Sequence, residues 1–115
     1  MVHQQAIIEL EGFPVIQGRE AVAHEWMNFL QDHQAAVIET LPAEHMRVES
    51  LFSTTINGRL YLFWYSLQSA KGADVSTSTS WVDQQHVAYW RQCIDEGRPS
   101  LKMKLENHFE STIAH

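Results

Sequence analysis

The sequence predicts an α+β domain in which two helices cover one face of a four-stranded antiparallel sheet. Three observations predict it: an Asn-Gly hairpin, two stretches with helical periodicity, and an alternating segment near the C-terminus. The chain has 115 residues, of which 44% are hydrophobic and 19% charged. Because this length supports one hydrophobic core, we expect a single domain over residues 1–115.

The first two elements are a short strand and a long helix. Residues 4–10 are rich in isoleucine and predict a strand, and residues 11–18 contain glycine and proline and predict a connection. From Arg19, apolar residues recur at intervals of three and four, which is typical of an amphipathic helix. We expect this helix to continue to Leu41 and to end or kink at Pro42.

A central hairpin is the clearest pattern in the chain. Asn57 and Gly58 form the preferred pair for a two-residue type I′ turn, in which both central residues need positive φ. Two runs with strand composition flank this pair. Counting outward from the turn predicts three cross-strand pairs: Phe52 with Phe63, Leu51 with Trp64, and Glu49 with Ser66.

Both faces of this hairpin are apolar. One face has Val48, Phe52, Ile56, Tyr61, Phe63, Tyr65 and Leu67, and the other has Glu49, Leu51, Leu60, Leu62 and Trp64. An antiparallel sheet covered on one side normally alternates apolar and polar residues. Since the helices cover only one face, we expect a second copy of the chain to cover the other, giving a homodimer through the sheet face.

The second half of the chain predicts a helix and an edge strand. Ser80 and Asp83 have the spacing of a capping box, and the helix is expected to run to Glu96 and stop at Gly97. Residues 100–109 alternate strictly, which predicts a strand with one buried face at a sheet edge. The resulting order, strand–helix–strand–strand–helix–strand, matches the ferredoxin-like βαββαβ arrangement.

Charge and composition exclude several classes of function. The formal net charge is −6, and only eight Lys and Arg are present, which argues against binding to nucleic acid or to an anionic membrane. Cys93 is the single cysteine, so no intrachain disulfide forms. No apolar run approaches the roughly 20 residues of a membrane span. We expect a soluble cytoplasmic protein.

Four short stretches resemble a known superfamily. REAVAHEWMNFL, RVESLF, LYLFWY and DQQHVAYW are similar to an uncharacterised small bacterial family of the dimeric α/β barrel superfamily. The resemblance covers most of residues 6–109. It implies two sheets packed face to face across a two-fold axis, with any pocket between sheet and helices. Members include cofactor-independent monooxygenases, haem-degrading enzymes and proteins without known activity, so the fold does not define the function.

Three residues are candidates for a pocket: Glu49, Trp64 and His86. His86 shares the apolar face of its helix with Val82, Tyr89, Trp90 and Cys93. An imidazole there acts as an acid, a base or a ligand, or it is a core-edge histidine satisfied by a carbonyl or water. Glu49 is costly to bury alone, so we predict either contact with His86 across the helix–sheet cleft or access to solvent.

The sequence is compatible with three functions. The first is a protein that binds or converts a small molecule in a pocket of Glu49, Trp64 and His86. The second, implied by the resemblance, is a haem-handling or monooxygenase-like enzyme in which His86 binds iron and Trp64 contacts the porphyrin. The third is a non-catalytic structural dimer. The spacing of His and Cys predicts no metal site, and no glycine-rich phosphate loop or other cofactor motif is present.

Overall fold

The computed structural model describes residues 6–70, 75 and 78–111. It has an α+β fold with three α-helices and one four-stranded antiparallel sheet in those ranges. The strands are β1 (Ile7–Pro14), β2 (Met46–Ile56), β3 (Arg59–Gln68) and β4 (Leu101–Lys102). The helices are α1 (Glu20–Asp32), α2 (Gln34–Thr40) and α3 (Trp81–Cys93), and a 3₁₀ turn (Pro42–Glu44) precedes β2. The strand order β2-β3-β1-β4 is compatible with the expected ferredoxin-like arrangement.

The hairpin forms with the predicted turn and register. Asn57 and Gly58 have φ of 51° and 77°, as a type I′ turn requires. The three predicted pairs are present between β2 and β3: Phe52 with Phe63, Leu51 with Trp64, and Glu49 with Ser66. A turn of two residues leaves no freedom for another register, which is why counting along the sequence succeeds here.

The two faces of the sheet have different surroundings. Leu62, on the face shared with Glu49 and Trp64, belongs to the buried core cluster formed with the helices. That cluster contains Val15, Ala23, Trp26, Leu62, Cys93 and Ile94. On the opposite face, here called the open face, Val48 and Phe52 remain 41% and 59% exposed. No described helix is long and apolar enough to cross a membrane.

The first strand lies later in the sequence than predicted. β1 continues through the stretch expected to be a connection and ends at Pro14, while residues 4 and 5 lie outside the described ranges. Gly12 explains the difference, because a Cβ atom on it would lie 2.4 Å from the ring of Phe63. Glycine therefore allows the aromatic ring of β3 to cross over β1, and it acts here as a packing residue within a strand.

The long helix predicted from Arg19 to Leu41 is divided in two. The break is at His33, whose φ and ψ of −117° and 35° leave the helical region. The His33 ring contacts the Phe29 carbonyl oxygen through Nδ1 at 2.9 Å and packs against Trp81 at 5.1 Å between ring centres. These contacts of the ring accompany the break and explain why the prediction of one continuous helix was wrong.

The third helix begins as predicted but ends early. Ser80 is its N-cap in an extended conformation, although its side chain makes no capping hydrogen bond, so the capping box does not form. The helix ends at Cys93 rather than Glu96. The carbonyl of Cys93 accepts a hydrogen bond from Ile16 N–H at 2.7 Å, and Asp95 N–H donates to Pro14. Pairing with the segment after β1 replaces the last helical turn.

The predicted C-terminal strand is mostly absent. β4 contains only Leu101 and Lys102, which pair with Gly12 and Glu11. One further hydrogen bond joins Met103 N–H to the Leu10 carbonyl, and the chain then continues without strand pairing to residue 111. The buried face expected for this segment is exposed instead, with Met103, Leu105 and Phe109 at 43%, 51% and 86% exposure.

A candidate functional site between the helices and the sheet

The three candidate residues line the same cavity. Glu49 reaches it from β2, Trp64 from β3 and His86 from α3. The cavity has a volume of about 570 Å³ and lies between the sheet and the helices. This size is in the range of small-molecule sites, which run from roughly 300 to 1,000 Å³.

His86 is held by a hydrogen bond that the sequence did not predict. The indole Nε1–H of Trp26, a fully buried residue of α1, donates to His86 Nδ1 at 3.0 Å. Since an indole N–H only donates, His86 is neutral and has its proton on Nε2. Burial lowers the pKa of His86, and the nearby Asp83 opposes that shift. The imidazole lies in an apolar stripe because it satisfies a buried donor.

The predicted contact between Glu49 and His86 is not formed. Within the described ranges, no hydrogen bond or ion pair joins the two side chains, and Nδ1 of His86 is occupied by Trp26. Both residues nevertheless face the cavity. Glu49 and His86 therefore share a cleft but do not pair, because Trp26 of α1 is the hydrogen-bond partner of the imidazole.

Asp83 is a site residue that sequence reasoning missed. It is only 8% exposed, and its side chain forms no hydrogen bond or ion pair with any described residue. Asp83 is also one of the residues that line the cavity. The available signal was its position three residues before His86, on the same side of the helix.

Glu44 and Glu49 join Asp83 in an acidic cluster. Burial, followed by the charges of Asp83 and Glu49, raises the pKa of Glu44 from 4.5 to about 7. The pKa of Glu49 is also raised, first by burial and then by the charge of Asp83. Glu44 comes from the 3₁₀ turn, which the sequence did not predict as a separate element. The three carboxylates therefore repel one another in a partly desolvated space.

Aromatic rings form the wall beside this cluster. Trp64 contacts Phe13 and Trp90 with ring centres 5.8 Å and 5.5 Å apart, and all three line the cavity. The lining formed by the described residues is acidic overall. It includes six carboxylates, those of Glu9, Glu11, Glu44, Glu49, Asp83 and Glu96, against the single guanidinium of Arg91.

The described part of the chain has no group of three or more His, Cys, Asp or Glu side chains arranged to hold a metal ion. The acidic cluster consequently presents separate carboxylates rather than a preformed set of metal ligands.

Comparison with known protein families gives a match over most of the chain. DUF6176, a family of unknown function, matches residues 6–113. The chain belongs to this family. No curated protein and no solved structure matches the chain significantly. The membership of DUF6176 covers the whole sheet, the three helices and every cavity residue named above, but it assigns no activity to them.

Proposed function

We propose that this member of DUF6176 binds a small organic cation in the cavity between the helices and the sheet. This proposal depends on Asp83. Its residue is only 8% exposed, it has no partner among the described side chains, and it lines the cavity. Burying a charge without a partner is costly, and a bound cation would remove that cost.

The remaining lining residues favour a cation with an apolar body. An ammonium group beside Asp83 and Glu49 would be attracted by both carboxylates, and aromatic faces such as that of Trp64 attract cations as well. The aliphatic side chains of Val82 and Val87 offer apolar contact. His86 would act as a neutral donor through Nε2–H, since its Nδ1 is occupied.

Paired ligands test the charge requirement directly. We would measure binding of aryl-substituted trimethylammonium ions by isothermal titration calorimetry, beside uncharged compounds with a tert-butyl group replacing the trimethylammonium group. The two members of each pair have nearly the same shape. We expect the charged member to bind at least about tenfold more tightly, because only it gains Coulombic attraction to the carboxylates and cation–π attraction to the aromatic wall. Equal affinity within every pair would contradict the cationic class of ligand.

Variants connect that affinity to the cavity. Asp83→Asn keeps the shape and removes the charge, so we expect at least about tenfold weaker cation binding because the Coulombic attraction is lost. Glu106→Gln is the matched control, because this carboxylate is 74% exposed and lies outside the cavity lining. If uncharged ligands bind and Trp64→Ala abolishes binding, the cavity is a small-molecule site of another class. If nothing binds, the non-catalytic structural dimer is favoured.

The haem-handling alternative receives less support from this geometry. A histidine that binds iron offers an unprotonated nitrogen, whereas Nε2 of His86 has the ring proton because Trp26 donates to Nδ1. The propionates of haem would also face the carboxylates of Glu49 and Asp83. A Soret shift on adding haem that disappears in His86→Leu would favour haem over an organic cation. We assign no reaction to the cavity.

We further propose that the protein is a cytoplasmic homodimer of the dimeric α/β barrel type. The exposed apolar residues of the open face support a second copy, because apolar sheet surface of this kind favours association. The single cysteine supports a reducing compartment. The net charge of −6 argues against nucleic acid or an anionic membrane as partner. Light scattering at micromolar concentration tests the dimer, and a monomer would contradict it.

A further inference from the structure

The C-terminal arm, residues 103–110, follows β4 and has neither helix nor strand structure. After the single hydrogen bond from Met103 to Leu10, it forms no strand with its own sheet. Every residue of the arm is exposed. Its alternation of apolar and polar residues is the pattern of a strand with one buried face, yet Met103, Leu105 and Phe109 all stay exposed in their own domain.

Strand geometry shows which side of the sheet the apolar residues of the arm continue. Leu101 pairs with Gly12, and Gly12 lies on the open face because it contacts Phe63. Alternation along a chain that keeps the extended course of β4 would place Met103 and Leu105 on the same side as Leu101. The apolar side of the arm is therefore an extension of the open face beyond the edge of the sheet.

We propose that this arm binds a second copy of the chain, with its apolar side packed on the open face of that copy along β2. This inference rests on the proposed homodimer and adds the element that completes its interface. β2 is one of the two edge strands of the sheet, and its open-face residues Val48, Phe52 and Ile56 are 41%, 59% and 36% exposed. They are the most exposed apolar side chains of that face.

The dimensions of the two surfaces agree. From Met103 to Phe109 the arm has six residue steps, which span about 20 Å in an extended chain. From Val48 to Ile56 the edge strand spans about 26 Å by the same measure. An isologous dimer would make this contact twice, once for each arm, and would cover the exposed apolar residues of both copies.

Matched double variants of the arm test the contact. Leu105→Ser with Phe109→Ser removes the two most exposed apolar side chains of the arm. Lys104→Ser with His108→Ser changes the alternate positions and serves as control. By sedimentation equilibrium we expect the first pair of substitutions to raise the dimer Kd at least about tenfold, because two apolar side chains that the dimer would bury are lost. We expect the control pair to leave the dimer Kd within about threefold of the wild-type value. Circular dichroism checks that the variants fold, which we expect because the substituted residues are exposed.

Hydrogen exchange adds a readout of the burial of the arm in the wild-type chain. We expect amides of residues 104–109 to become more protected as protein concentration rises, and the apolar arm variant to lose that protection. A wild-type chain that is monomeric overturns the homodimer and the arm contact together. A wild-type dimer whose Kd and arm protection are unchanged in the apolar variant overturns the arm contact alone, leaving the homodimer in place.

Discussion

A single buried hydrogen bond explains the protonation state of His86 and its place among apolar residues. Trp26 is fully buried, and its indole N–H would lose its hydrogen bond to water without a partner in the core. The neutral imidazole supplies that partner, and protonation at Nδ1 would place two donors against each other. His86 is thus a structural acceptor on one side and a cavity residue on the other.

We predict that His86→Leu lowers the free energy of unfolding by about 1–3 kcal/mol, because it leaves the Trp26 N–H unpaired. The lowered pKa of His86 means that the unfolded chain binds its proton first as the pH falls. Wild-type stability from this group is therefore complete above pH 6.5 and lost as the pH falls from 6.5 to the folded pKa. Urea unfolding measures both effects.

The exposed His24 of α1 provides the control for this prediction. His24→Leu should change the unfolding free energy by less than about 0.5 kcal/mol, as is usual for surface substitutions. The difference in unfolding free energy between wild type and His86→Leu should shrink on acidification. A difference that is constant across this pH range would contradict the proposed protonation state.

Glu44 gives a pH dependence of opposite sign. Its pKa rises from 4.5 in the unfolded chain to about 7 in the folded protein, so the folded state holds the proton more tightly. Stability from this group is present below pH 4.5 and is lost as the pH rises through about 7. We predict that Glu44→Gln stabilises the protein at alkaline pH and flattens its stability profile between these two values.

Unfolding free energies measured on both sides of that window check the Glu44 prediction. Glu39→Gln, an exposed substitution on α2 outside the cavity lining, is the matched control and should preserve the wild-type slope. A Glu44→Gln variant with the wild-type slope would show that Glu44 ionises as freely in the folded protein as in the unfolded chain.

At the scale of elements, the hairpin turn depends on its own residues, whereas the ends of helices and strands depend on contacts with other parts of the chain. The Asn57-Gly58 turn formed as predicted because its backbone angles are a property of those two residues. β1, α1 and α3 ended at positions different from those predicted because hydrogen bonds or ring contacts with distant residues compete there. The Ile16 N–H bond to Cys93, which replaces the last turn of α3, is such a case.

Gly58→Val should destabilise the hairpin by about 1–2 kcal/mol, since a β-branched residue resists the φ of 77° found there. Nothing lies within 4 Å of a Cβ atom at this position, so the cost is one of backbone conformation and not of space. Asn57→Gly is the control and should have little effect, because glycine adopts positive φ readily. Equal stability of both variants in thermal unfolding would contradict the turn assignment.

At the scale of the whole molecule, folding and association should be linked. If a second copy covers the open face, the native dimer is favoured by mass action, and the thermal midpoint rises with protein concentration. We predict this dependence for the wild-type chain in calorimetry over a range of concentrations. Phe52→Ser, at a residue 59% exposed in one copy, should reduce it. A midpoint independent of concentration for the wild type would argue for a monomer.

The sequence by itself determined the α+β class, the hairpin register and the cavity candidates Glu49, Trp64 and His86. These features depend on periodicity and on turn chemistry, which act over a few residues. Tertiary structure alone decided that Trp26 is the partner of His86 and that Asp83 lies buried in the cavity. It also left the C-terminal arm exposed. These outcomes depend on which distant side chains meet, because a buried polar group takes the nearest partner that packing provides, and no local pattern specifies that partner.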